Sequence, residues 1–353
     1  MRQSLLCFLI ITIASFSACR SIEFQFQESD IQPDFPGNKW IKASNVSSYG
    51  WNIDSLTEAK RFSTAAGTKS VMIIDNGKLI YSWENPDKKY YIASIRKSLL
   101  STLFGYYIDS VISLNSTLSD YNIDDINPSL TNDQRKVTVE MLLKSSSGIL
   151  HTAAASGTKN ILGSLKIQPG KEFLYNNWDF NALGTIFEQR TGQKIFKIFN
   201  DSIATRIDME DFQWETDGRY DFVKGSIHPA YHFDMTARDM ARFGLLILNR
   251  GIWKGKQIIN KSWIDTISSK KLTVPDSYGG GSYGYMWWIH DSGKLPEFAN
   301  IPTDAFSAQG NLSQFILVIP SQSIVIVHRA KKNLDPSITA TVIKLIFASK
   351  KQN

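Results

Sequence analysis

Cysteine is nearly absent from this 353-residue chain: there are two, Cys7 and Cys19, both close to the N-terminus. A disulfide framework or a cysteine-ligated metal centre in the body of the chain is thereby excluded. Histidine is also scarce, with five residues. His228 and His232 have the i, i+4 spacing of a metal pair, but Pro229 lies between them and no glutamate follows His228, so the zinc-protease pattern is not met and no metal is expected. His151, His290 and His328 are scattered. One of them could complete a Ser-His-Asp triad, though nothing local argues for it. Charge of one sign is not concentrated either. The 39 basic and 33 acidic residues leave a formal +6 spread along the chain, with only short clusters such as Lys331-Lys332, which gives no nucleic-acid footprint. No glycine-rich phosphate loop or dinucleotide fingerprint occurs, and no cofactor is implied. Gly280-Gly281-Ser282-Tyr283-Gly284 matches Gly-x-Ser-x-Gly in form, yet a polar loop precedes it and an aromatic strand follows, the reverse of a nucleophile elbow.

At 42% hydrophobic residues the chain can bury a large core, and its composition is that of a globular protein. The apolar run Leu5 to Phe16 is short for a bilayer span but fits the h-region of an export signal after Met1-Arg2-Gln3. Phe16-Ser17-Ala18-Cys19 resembles a bacterial lipobox, with Phe16 where leucine is usual. Residues 1–18 are therefore expected to be a signal peptide and Cys19 a lipidated first mature residue. Residues 19–44 then form a polar tether, and the protein is exported to the periplasmic or outer-membrane side of a bacterial membrane.

The stretch that organises the rest runs from Tyr90 to Gly105. Leu99, Leu100, Leu103, Phe104, Tyr107 and Ile108 fall at helical spacing, so a buried helix is expected to begin just after Ser94. At that terminus, free backbone N–H groups and the positive end of the helix dipole favour developing negative charge. Lys97 lies one turn on, so Ser94 can be an amine-activated nucleophile. The plainer alternative makes Ser94 an ordinary N-cap and Lys97 a solvated residue; Ser-x-x-Lys recurs at Ser156 to Lys159 and Ser268 to Lys271, both in polar stretches.

Asn76-Gly77 between two apolar runs signals a two-residue hairpin turn. Helices are expected over Val137 to Lys144 and after Asp179, and Thr236 with Asp239 resembles a capping box. Past Gly279-Gly280-Gly281 the runs Tyr285 to Ile289, Ala305 to Gln309, Gln314 to Ile319 and Ile324 to Arg329 read as strands, and Ser337 to Ser349 as a closing helix. Strands from both ends of the chain, with helices between, predict an α/β (α+β) fold: an antiparallel sheet from residues 45–93 and 285–350, and a helical region over 94–284 in one domain, 45–350.

Ser94-Ile95-Arg96-Lys97, Tyr175-Asn176-Asn177 and Tyr283-Gly284-Tyr285-Met286-Trp287-Trp288, in this order, resemble the serine β-lactamase-related hydrolases of the class C type. Val137 to Ile149, Asn181 to Ile186 and Ala237 to Gly244 resemble further stretches of that family, so the likeness covers roughly Val71 to Val327. The resemblance implies a β-lactamase-like fold and an acyl-enzyme on Ser94. Lys97 and Tyr175 would handle the proton, and Asn177 would bond Lys97 or the substrate amide. The Ser94 N–H and a second N–H near Gly310 would meet the oxyanion, while Arg96 is expected at the surface or behind the site. Where the family carries a third-motif cation, Ser307-Ala308-Gln309-Gly310-Asn311 has none, with Gln309 at its place and Gln309, Gly310 and Asn311 lining the substrate. Esterase, amidase or peptidase-like members become the better analogues, acting on a small-molecule or peptide ester or amide. The rival expectation is an inactive lipoprotein that binds a ligand or cell-wall peptide on the same fold.

Overall fold

The computed structural model describes residues 34–126, 128–155, 167–291 and 301–351. The expected signal segment and Cys19 lie outside them.

Among the described residues the N-terminal elements are α1 (Ile53–Ala66), β1 (Thr68–Asp75), β2 (Lys78–Glu84), β3 (Tyr90–Tyr91) and α2 (Ile95–Phe104). The helical middle holds α3 (Val139–Leu143), α4 (Asn177–Thr191), α5 (Ile195–Phe199), α6 (Trp214–Asp217), β4 (Gly218–Asp221), β5 (Ala230–Met235) and α7 (Ala237–Leu248). Then come β6 (Ile252–Trp253), β7 (Lys256–Gln257), α8 (Lys261–Ile267), β8 (Leu272–Thr273), β9 (Ser282–Tyr283) and β10 (Trp288–Ile289). The chain closes with β11 (Phe306–Gly310), β12 (Gln314–Ile319), β13 (Ile324–Ala330) and α9 (Pro336–Ala348).

The main sheet runs β2-β1-β13-β12-β11-β10-β9-β8 and its pairings are antiparallel, so strands from the two ends of the chain meet at β1 and β13. This is the expected α+β sheet. Asn76 and Gly77, at φ 48° and 78°, turn β1 into β2 as a two-residue hairpin requires. β12 and β13 are buried along their whole length, which is why they read as continuous apolar runs rather than as an alternation. Successive residues face opposite layers. Val325, Val327, Ile316 and Val318 pack with α2, α4 and α7, whereas Ile324, Ile326, Leu317 and Ile319 pack with α1 and α9.

Four local expectations differ from the structure. α1 was not anticipated; its apolar stripe is narrow, with Leu56 and Ala59 buried beside Ser63, so its periodicity is faint. Residues 34–44, read as the end of a tether, carry packing contacts: Trp40 Nε1 donates to the Arg238 carbonyl at 3.2 Å, Phe35 meets Trp253 ring to ring at 5.0 Å, and Leu79 N donates to the Ile41 carbonyl at 2.8 Å. The strand expected over Tyr285 to Ile289 shortens to Trp288–Ile289 because Met286 sits at φ 62°, outside extended geometry. At α7, Thr236 caps the Asp239 N–H as expected, but the Asp239 carboxylate accepts from the Glu210, Asp211 and Phe212 N–H groups instead of closing a capping box.

Candidate active site

β3 ends at Tyr91, and Ala93, with φ 50°, bends the chain so that α2 starts at Ile95 with Ser94 as its N-cap. A non-glycine residue in the left-handed region is strained, and here it turns a strand abruptly into a helix. The Ser94 hydroxyl does not cap the helix. Instead Lys97 Nζ donates to Ser94 Oγ at 2.6 Å. Lys97 is 2% exposed, so the solvated first-turn reading does not hold. Burial pushes its amine well below the usual lysine range, and the neighbouring Arg96 charge adds to this. With the amine neutral, the same contact can run from hydroxyl to nitrogen lone pair.

Every residue of α2 is buried, so the helix is central rather than amphipathic. It is held by its small hydroxyls: Ser98 Oγ donates to the Met286 carbonyl at 2.7 Å and Ser101 Oγ to the Tyr285 carbonyl at 2.6 Å. The Tyr283 to Trp288 stretch therefore serves as the seat on which α2 rests. Of the two places expected for Arg96, the surface or behind the site, it takes the second. It is 1% exposed, its guanidinium lies 4.3 Å from the Tyr231 ring centroid, and Nη2 donates to Asn181 Oδ1 at 2.8 Å.

Tyr175 comes in just before α4. Lys97 Nζ lies 5.1 Å from its ring centroid and 4.8 Å from that of Phe180, and the Tyr175 side chain faces that of Ser94. Burial pushes the phenol up to about 12, against the opposing pull of Ser94 and the Arg96 charge. Asn176, not Asn177, caps α4, accepting from Trp178 N at 3.0 Å. Asn177 donates to the Ala155 carbonyl at 3.2 Å, and among the described residues its buried Oδ1 has no partner; a bond to Lys97 is not formed.

The strand side is set by β11. A Cβ on Gly310 would fall 2.8 Å from Ser94 N and 2.7 Å from the Ile92 carbonyl oxygen, so only glycine lets the strand pass this close to the α2 terminus. Asn311 follows it, exposed, in the turn to β12. β11 pairs with β12 along its length, whereas β10 covers only Phe306 and Ser307, so the other edge is open from Ala308 to Gly310 among the described residues.

The expectation for Gln309 is corrected. Gln309 stands opposite Phe315 and Ser307 opposite Leu317, both residues of the α1–α9 layer, while Ala308 stands opposite Ile316 in the α2 layer. The side chain facing Ser94's helix is thus the methyl of Ala308. Gln309 turns away and donates to Ser307 Oγ at 2.9 Å, and Ser307 Oγ also shares a 2.8 Å hydrogen bond with His290. Burial pushes the His290 imidazole down to about 3. Arg329 is buried and donates to the Tyr90 and Met235 carbonyls and to Gln314.

The remaining histidines have partners elsewhere. His228 shares hydrogen bonds with Thr185 and the Asp124 carbonyl, His232 with Tyr91 at 3.0 Å, and His328 with Thr68 and the Ser313 carbonyl. His151 lies 3.7 Å from Asp125. None of these contacts completes a triad with Ser94.

The chain's residues 53–344 match the Beta-lactamase family. It is 22% identical over 240 residues to the 6-aminohexanoate-dimer hydrolase of Paenarthrobacter ureafaciens, which is 58% of each chain, so it spans less than two thirds of that relative. A Bacillus anthracis structure provisionally assigned as a 6-aminohexanoate-dimer hydrolase superposes with a TM-score of 0.62 at 20% identity, over 90% of this chain and 88% of that one. A class C beta-lactamase gives 0.62 at 17% identity, over 88% and 99%. At such identities the superpositions establish the fold, and the family match over most of the length establishes the kinship. This chain belongs to the β-lactamase family and is a hydrolase of that family.

Proposed function

We propose that the protein is a serine hydrolase that cleaves an ester or amide through an acyl-enzyme on Ser94, esterase-, amidase- or peptidase-like rather than an efficient β-lactamase. The observation that carries this is the 2.6 Å contact between Ser94 Oγ and the buried amine of Lys97. Ser94 Oγ attacks the acyl carbon while its proton passes to Lys97, which is poised neutral. The oxyanion is met by the Ser94 N–H at the start of α2 and by a second N–H of β11 near Gly310 and Asn311. Tyr175 passes its proton to the leaving group and is reprotonated by Lys97, so the Ser94 proton ends on the leaving group and the amine is free again for the water step. Water then repeats the sequence on the acyl-enzyme. The open edge of β11 suits an extended amide or ester chain lying alongside it, with the unpartnered Asn177 Oδ1 accepting a substrate N–H.

The test is covalent labelling with a fluorophosphonate and with a β-lactam probe. Labelling lost in Ser94→Ala supports the reading; no labelling of the folded, unaltered protein by either probe favours a ligand- or cell-wall-binding lipoprotein instead. Export and lipid anchoring are part of the proposal, resting on Leu5 to Phe16 and Cys19. Membrane association that survives Cys19→Ala would remove that part.

A further inference from the structure

Arg96 has an unusual setting for a cation. It is 1% exposed, and among the described residues no carboxylate is paired with it. Its partners are the face of Tyr231 at 4.3 Å and the Asn181 amide oxygen at 2.8 Å, and its Nη1 has no hydrogen-bond partner. Buried charges are normally paired, because desolvation costs several kcal/mol per ion when it is not offset. Among the described residues this cation has no counter-ion, and it sits one residue from Lys97 on the same helix, so its charge acts through the dry interior on the amine at Ser94.

The groups facing this amine from the other elements do not supply a counter-charge. Among the described residues, Tyr175 and Phe180 face it from α4 and the segment before it and His232 from β5; Asn181, Tyr231 and Tyr91 surround Arg96, and Arg219 of β4 lies near His232. Burial holds Tyr91, Tyr175 and Tyr231 above the usual phenol range, and burial with Arg96, Arg219 and Lys97 drives His232 down to about 3, so these stay neutral. Asp234 is taken up by Arg219 at 2.6 Å, and Asp221 lies 3.8 Å from His232 at the exposed side.

We infer that Arg96, held between Tyr231 and Asn181, is a positioning residue whose fixed charge acts together with the burial of Lys97 to keep that amine free to take the Ser94 proton. An arginine suits the task because it keeps its charge at any working pH and its planar head can stack on a phenol. The inference rests on the proposed role of Ser94 and Lys97, and goes beyond it in assigning what keeps the base free.

The experiment is the pH profile, from 5 to 10, of the second-order rate of Ser94 labelling by an uncharged fluorophosphonate. It is run on the unaltered protein and on Arg96→Gln, Arg96→Lys and Asn181→Asp, with melting temperatures measured alongside. Arg96→Gln removes the charge and Asn181→Asp pairs it with a carboxylate; each is expected to move the acid limb up by about one pH unit, the usual scale for one nearby like charge. Arg96→Lys, which keeps a charge, is expected to leave the limb near its original place. A limb unmoved in the folded neutral variant overturns the inference. If Arg96→Gln does not fold, Asn181→Asp, which retains the arginine and its packing, decides on the same criterion. Labelling absent from the unaltered protein overturns the Ser94 reading and this inference together; labelling present with an unmoved limb overturns this one alone.

Discussion

Trp288 lies stacked against Tyr175, with ring centroids 6.0 Å apart and planes 23° from parallel. A strand from the C-terminal half of the chain thereby holds the phenol that faces Ser94 and that also meets Phe180 with ring centroids 5.1 Å apart. The reactive groups are thus gripped from three directions: by α2, by the approach to α4, and by the sheet. Such placement matters because displacements of about 1 Å can cost about a hundredfold in rate.

Lys97→Arg keeps a positive charge but removes the group that can surrender and recover a proton near neutrality. We expect kcat to fall by at least about a hundredfold, the scale of lost general acid–base help, with the fold retained by circular dichroism. Near-normal turnover would mean that another group accepts the Ser94 proton.

Tyr175 and Lys97 together define the shape of the pH profile. The amine is held well below its usual range and the phenol pushed up to about 12. Activity should therefore rise with pH as Lys97 loses its proton and then stay level through about pH 10, with no alkaline fall until Tyr175 ionises. Tyr175→Phe should lower the plateau without moving the acid limb; a displaced limb would make the tyrosine the titrating base.

Gly310→Ala probes the closeness of β11 to α2. Its Cβ would press on backbone atoms, Ser94 N and the Ile92 oxygen, which cannot swing aside as a flexible side chain can. We expect about a hundredfold loss of acylation rate and a destabilisation of about 1–3 kcal/mol, read from turnover and from a denaturant melt. Full activity would show that the second oxyanion donor is not supplied by this part of the strand.

Asp179 gives a stability prediction. It is fully buried, with the Ser147 hydroxyl 2.5 Å away, and burial pushes its carboxyl up to about 8 against those hydrogen bonds. The folded state then binds this proton more tightly than the unfolded chain, whose carboxyl has an ordinary pKa of about 3.9. Its contribution to stability is complete below about pH 4 and is lost as pH rises toward 8. Asp179→Asn should flatten this dependence, so that its melting temperature gains on the unaltered protein between pH 5 and pH 8.5. A constant difference across that range would show that the carboxyl is ionised throughout in the native state.

Ala308 bears on substrate class. With a methyl facing the α2 layer and Gln309 folded toward Ser307 and His290, this stretch offers no cation to a β-lactam carboxylate. A charge-assisted hydrogen bond is worth about 1.5–3 kcal/mol, or roughly tenfold to hundredfold in transition-state binding. A neutral p-nitrophenyl ester should therefore be hydrolysed faster than a chromogenic cephalosporin by the same preparation. The opposite order would show that a cation from another part of the chain serves the β-lactam carboxylate.

Features carried by neighbours in the chain were legible in advance. Asn76-Gly77 demands a tight hairpin wherever it folds, β12 and β13 announce themselves as apolar runs, and Ser94 is placed at a helix start by the leucines that follow it. Each depends on backbone geometry and periodicity within about ten residues. Relations between distant parts were decided only by packing. Arg96 is polar and looks like surface, yet α4 and β5 close over it, and only then does it become a buried charge beside Lys97. Which of Ala308 and Gln309 faces the site follows from the register of β11 on β12, and a shift of one residue would exchange them. The nearness of Gly310 to Ser94 likewise joins positions far apart in the chain, through a sheet that brings both ends of the sequence to one side of α2. Local pattern could name the nucleophile candidate and its amine; the electrostatics and the open strand edge around them exist only in the assembled fold.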